Sequence, residues 1–195
     1  MQGMPTIIYI TTTGYTIRGD HMDIIEGLKT RRSIRSYQDK DVPDNLIEEI
    51  LEIARWAPSS ANNQPWRFII IKDEERKASL RGGLRDAVIP FSKHIGEAPV
   101  VLAAWYEPSL ILRRYQKSDV SNAVTYLLLA AHAKGLGTCW IGWLSENRVK
   151  KVLNLPKKAQ IVGLITLGYP KEVPEPKERK PVKDIAYRET YDNTW

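Results

Sequence analysis

Four cations stand close together in the stretch KTRRSIRSY: Lys29, Arg31, Arg32 and Arg35. Arg31, Ser33 and Arg35 alternate, and Arg32 points elsewhere. Two guanidiniums and a hydroxyl converging on one anion suit a phosphate, because arginine offers a planar fork of donors and the hydroxyl adds a short hydrogen bond. The same residues on a solvated face would do no chemistry. A nucleic-acid patch would want more cations with exposed aromatics interleaved, and only Tyr37 is near. Two further stretches carry polar chemistry. APSSANNQPW sets Ser59, Ser60, Asn62, Asn63 and Gln64 between prolines. A loop so rich in donors and acceptors can read the edge of a polar heterocycle, or simply satisfy local backbone groups as a capping turn. In GLGTCWIG, Gly135 and Gly137 let the backbone approach a flat ligand that Trp140 and Ile141 could cover. A helix C-cap followed by a core strand explains the same residues.

Other chemistries are missing. No G-x-S-x-G, H-E-x-x-H or P-loop pattern occurs, and Trp140 stands where a dinucleotide fingerprint needs its third glycine. His21, His94 and His132 are scattered, and no Cys/His spacing fits a metal. Cys139 sits in an apolar run without His or Lys neighbours, as a structural thiol does. A phosphate-suited cluster without metal or nucleophile points to a borrowed cofactor that carries the hard chemistry.

These residues need elements to position them. Ile24, Ile25 and Leu28 fall at helical spacing just before the basic cluster. Leu46, Ile47, Ile50, Leu51 and Ala54 form the apolar stripe of a helix that Pro58 ends. RFIII follows as a strand with apolar residues on both faces, which predicts a central position. ERKASLRGGLRDAVIPFSKHIGEAP reads as a helix, a Gly-Gly break and a second short helix. VVLAAWYE is a buried strand. The next helix carries Ala123, Val124, Leu127, Leu128 and Ala131 inward, and Gly135 is placed to stop it. TCWIGW is a short apolar segment, Ser145 can cap the following helix, and AQIVGLITLGY is a third core strand. The proline-rich tail after it is an extended arm. Strands alternating with amphipathic helices make the class mixed α and β.

At 195 residues the chain fits one domain with a real core. The N-terminal 21 residues read differently from the rest, as an extension or as an arm that adds to a sheet or a partner. The domain proper runs from Met22 to Trp195. No apolar run approaches the roughly 18 residues of a membrane helix, and the single cysteine forbids an internal disulfide, so a cytoplasmic setting is expected. The net charge of +6 favours acidic partners without choosing among them.

Taken in order, RRSIRSY, APSSANNQPWRFIII, LLLAAHAKGLGTCWIGW and VGLITLGYP resemble the FMN-dependent nitroreductase family over residues 22–185 or so. The resemblance implies an α+β three-layer sandwich, with a mostly antiparallel central sheet flanked by helices, in an intertwined homodimer with FMN at the interface. It implies that Arg31, Arg32, Ser33 and Arg35 hold the ribityl phosphate. Pro58, Ser59, Ser60, Asn62 and Gln64 would line the ring, partly from the opposite subunit. Trp140, Ile141 and Gly142 would approach the ring at its N5 side, and Lys177 and Arg179 of PKERKP would reach back to the phosphate. NADH or NADPH is then the electron donor and a nitroaromatic, quinone or similar small molecule the acceptor, in a ping-pong cycle with hydride passing through flavin N5. No side chain need act as acid or base, and no metal, nucleic acid or membrane is expected. Relatives that reduce activated alkenes or aldehydes, dehalogenate aromatic rings or break down flavin remain alternatives, as does a nonenzymatic FMN-binding or nucleic-acid-binding module.

Overall fold

Helix α1 (Ile24–Thr30) starts where the Asp23 carboxylate accepts the amides of Ile25 and Glu26 at 2.9 and 3.1 Å. It opens the domain in a computed structural model that describes residues 9–11, 14–16, 22–81 and 93–195. Ahead of it, β1 (Tyr9–Thr11) and β2 (Gly14–Thr16) pair as an antiparallel hairpin. After it come α2 (Asp44–Ala54), β3 (Arg67–Ile71), α3 (Glu74–Arg81), α4 (Lys93–Glu97), β4 (Val100–Tyr106), α5 (Arg113–Ala133), β5 (Gly137–Ile141), α6 (Glu146–Val152) and β6 (Gln160–Gly168). His21 and the expected Gly-Gly break at Gly82 and Gly83 lie outside the described residues.

The four main strands form an antiparallel sheet in the order β3-β4-β6-β5. Helices cover both faces. Val100, Leu102, Ala104 and Tyr106 of β4 pack with Ile47 and Ile50 of α2 and with Val124 and Leu127 of α5. Val101 and Ala103 face the other way, toward Leu80 of α3, Ile95 of α4 and Val149 of α6. This is the expected three-layer α+β arrangement.

Two strand readings change. β3 is expected in the centre, but among the described residues it pairs only with β4 and stands at the sheet's edge. Its apolar residues on both faces report helices above and below, which cover an edge strand as well as a central one. TCWIGW, read only as a short apolar segment, supplies β5, whose partner is β6.

Two features position the candidate site. Helix α5 ends as expected at Gly135, whose φ of +75° is left-handed. The Gly135 amide donates to the His132 carbonyl and the Leu136 amide to that of Ala131, the paired bonds of a Schellman motif, and the chain turns into β5. The basic stretch does not end in a loop. It runs extended beside β5, with Ser33 bridged in parallel to Thr138 and the Ile34 amide donating to the Thr138 carbonyl at 2.9 Å. The Tyr37 hydroxyl donates to the Ile34 carbonyl and lies 2.7 Å from Thr166 Oγ1, pinning the far end. Beyond β6 the tail is exposed, with one short 3₁₀ turn at Val182–Asp184 and a terminal knot in which Arg188 lies over Trp195.

Candidate functional site

The extended backbone sets Arg31, Ser33 and Arg35 at alternate positions, as read from the sequence. Arg32 is used differently. Its Nη1 donates to the carbonyls of Lys29 at 2.8 Å and Arg31 at 2.9 Å and closes the end of α1. Arg31 is half-buried. Its guanidinium is held below its ordinary pKa, first by burial, with the charges of Arg179 and Arg32 pushing the same way and Cys139 opposing them. The charge of Arg179 in the tail is thus felt at Arg31. Lys177 is exposed and lends its carbonyl to Arg179 Nη1 at 3.0 Å. Arg35 is exposed, with Nη1 at 3.3 Å from the Ser33 carbonyl.

A cavity of about 230 Å³ opens among Thr30, Arg31, Arg32, His132 and Gly137. The Thr30 hydroxyl lies 2.8 Å from the Glu26 carbonyl and 2.9 Å from His132 Nε2, so it ties the end of α1 to the end of α5. Burial, then the charges of Arg31 and Arg32, push the His132 pKa down. Cations crowded against each other beside an open cavity gain most from an anion, so the residues present fit a phosphate group.

The polar loop lies elsewhere. Ser60 donates both its amide and its hydroxyl to Asp119 Oδ1, each at 3.1 Å. Asn122 Nδ2 donates to the Pro58 carbonyl at 3.3 Å, and the Gln64 amide donates to Ser59 Oγ at 3.0 Å. Gln64 Nε2 donates to Asn62 Oδ1 at 3.1 Å. Ala61, Asn62 and Gln64 have φ of 50°, 53° and 46°, left-handed values that cost free energy in residues other than glycine. Asn62 and Gln64 point into solvent. The anchor Asp119 sits thirteen positions before His132 on α5, which is about 20 Å along the helix axis. Within one protomer, the loop and the basic cluster lie toward opposite ends of α5.

At the end of β5, Trp140 and Ile141 are half-buried and pack on opposite faces of the sheet. Trp140 Nε1 donates to the Val162 carbonyl at 3.4 Å, and its ring lies so close to Gly163 that a Cβ there would fall 2.2 Å from Nε1. Gly142 is exposed with open space around it, and Trp143 is 64 % exposed. This end therefore offers backbone at Gly142 and an uncovered indole at Trp143.

A sequence profile of the nitroreductase family matches residues 28–169. The chain belongs to the nitroreductase family. It is 37 % identical over 158 residues to a Methanothermobacter thermautotrophicus protein provisionally named NADH dehydrogenase/NAD(P)H nitroreductase, covering 78 % of this chain and 80 % of that one. It is 30 % identical to the FMN reductase [NAD(P)H] of Bacillus subtilis, over 88 % of this chain and 75 % of the relative. Among solved structures, a provisionally named nitroreductase from Exiguobacterium sibiricum in complex with FMN superposes with a TM-score of 0.78. That pair is 25 % identical, with 86 % of this chain and 98 % of the other covered.

In this family member, the sequence reading passed over three residues near the candidate site. Asp119 carried a signal, being an acid on the buried stripe of α5 between Gln116 and Val120. His132 did not, because its neighbours Thr30 and Arg31 are distant in sequence. Trp143 lies just past β5, outside strand register. Cys139 is buried, and burial raises its pKa although Arg35 and Arg31 pull the other way. It is a structural thiol. Among the described residues, no group of three or more His, Cys, Asp or Glu could hold a metal, and no helix is long and apolar enough to cross a membrane.

Proposed function

We propose that this chain is an FMN-dependent oxidoreductase that draws electrons from NADH or NADPH and delivers them to a small acceptor such as a nitroaromatic or a quinone. The observation that supports the reading is the basic segment docked on β5: Arg31, Ser33 and Arg35 take alternate positions, Arg31 lines a cavity with Arg32 and His132, and the charge of Arg179 acts on Arg31. FMN, when bound, supplies hydride chemistry at its ring. The residues supply the rest. Arg31, Ser33 and Arg179 bind the phosphate. Arg35 adds to the phosphate grip, and a backbone amide near Gly142 offers a donor where the ring gains electrons. Ser59, Ser60, Asn62 and Gln64 read the polar edge of the ring, and Trp143 offers a flat apolar wall to a planar acceptor.

The site is shared between two copies of the chain. In one protomer the ring loop and the phosphate cluster lie toward opposite ends of α5, so a symmetric partner is needed to bring one copy's loop to the other's cluster. Exposed apolar residues support such an interface: Ile24, Ile25 and Leu28 on α1, Trp56 after α2, and Tyr115 and Tyr126 on α5.

Purified protein is expected to be yellow and to bleach anaerobically on addition of NADH or NADPH. Stopped-flow reoxidation by a panel of nitroaromatics, quinones and halogenated phenols then ranks the acceptors. Colourless protein that takes up no added FMN overturns the reading. Yellow protein that neither nucleotide bleaches would be a flavin-binding module without this activity.

A further inference from the structure

We propose that Asp119 is a positioning residue that holds the ring-reading loop in its binding conformation. This rests on the flavin reading above. Asp119 is 4 % exposed on the inward face of α5, where a carboxylate is costly to bury. It is retained there for one visible use: a single oxygen, Oδ1, takes both the amide and the hydroxyl of Ser60. Ser60 opens the short turn Ser60–Asn62, in which Ala61 and Asn62 are held left-handed, with Gln64 following at φ 46°. A turn strained at three non-glycine positions persists only when its surroundings over-determine it. Asn122 grips Pro58 from the next turn of the same helix, so α5 holds the loop at two points, and Asp119 is the charged one. Its second oxygen, Oδ2, is buried with no hydrogen-bond partner among the described residues. A neutral acceptor would serve Ser60 without that cost. A spare carboxylate oxygen is suited to a donor that arrives when the site is filled and assembled.

The test compares the two ends of the ligand. Dissociation constants for FMN and for riboflavin, which has the ring without the phosphate, are measured by flavin fluorescence below the lowest melting temperature. Wild type, Asp119→Ala, Asp119→Asn and Arg31→Ala are compared. Asp119→Ala should weaken both flavins by the same factor, about tenfold or more for the loss of charge-assisted bonds. Asp119→Asn should fall between, because an amide oxygen still accepts from Ser60. Arg31→Ala should weaken FMN and leave riboflavin nearly unchanged. If Asp119→Ala does not fold, Ser60→Ala carries the same comparison, with a smaller equal loss for both flavins. A lower melting temperature with both constants unmoved would make Asp119 merely structural and overturn the proposal. A loss confined to FMN would do so as well. Wild type that binds neither flavin overturns the flavin reading and this proposal with it, whereas wild-type binding beside an unmoved variant overturns this proposal alone.

Discussion

Arg32 and Arg35 belong to one basic run yet do different work. Arg32 spends its guanidinium on the carbonyls that end α1, whereas Arg35 stands at an alternate position beside Ser33 on the extended segment. Arg35→Ala is therefore expected to weaken FMN retention about tenfold with little change in melting temperature. Arg32→Ala should cost about 1 kcal/mol of stability, the scale of a lost hydrogen bond, and keep most of the flavin. Flavin content after dialysis, read beside a melting curve, checks both. Full retention in Arg35→Ala would contradict its assignment. Histidine gives a second prediction. Burial pushes His94 and His132 below the usual imidazole value. The folded apoprotein then binds these protons more weakly than the unfolded chain. Their contribution is whole above the unfolded value of about 6.5 and is lost as pH falls through the lowered folded values. The melting temperature of the apoprotein should drop from pH 7 to pH 5, and less steeply in His132→Gln. The alternation of Arg31, Ser33 and Arg35 was legible in the sequence, because a two-residue period survives any extended backbone. The partners of His132 were not, because they come from another element.

The way α1, the basic segment and β5 fit together depends on Gly137. A Cβ there would fall 2.5 Å from Ile34 Cγ1 and 2.7 Å from its Cβ. Ile34 cannot yield easily, since it is β-branched and its amide is bonded to Thr138. Gly137→Ala should lift the segment off β5, costing about 1–3 kcal/mol in a urea titration and weakening FMN binding in parallel. Unchanged flavin affinity would separate the docking from the site. Helices α2 and α5 and strands β4 and β6 were legible because their apolar spacing is long and regular, whereas α1 was read from a single turn of it. The edge position of β3 was not, because both-sided burial reports layers and says nothing about hydrogen-bonding neighbours. The docking of the basic segment was also hidden, because Thr138 is far along the chain from Ser33.

For the molecule as a whole, the exposed apolar side chains of α1 and α5 support the proposed dimer, and light scattering is expected to give twice the monomer mass. A monomer at micromolar concentration that still holds FMN would contradict the shared site. The three motifs of the candidate site were legible in the sequence one by one. Their separation along α5 was not, because it follows from where Asp119 and His132 anchor them. That separation has a consequence for inheritance and for mixing experiments. If each site takes its phosphate grip from one copy and its ring loop from the other, two damaged chains can repair each other. Arg35→Ala and Asp119→Ala subunits, unfolded and refolded together, would form mixed dimers in which both lesions fall in one site and the other site is intact. With random pairing, roughly a quarter of all sites should regain the wild-type affinity for FMN, from two preparations in which every site alone binds it about tenfold more weakly.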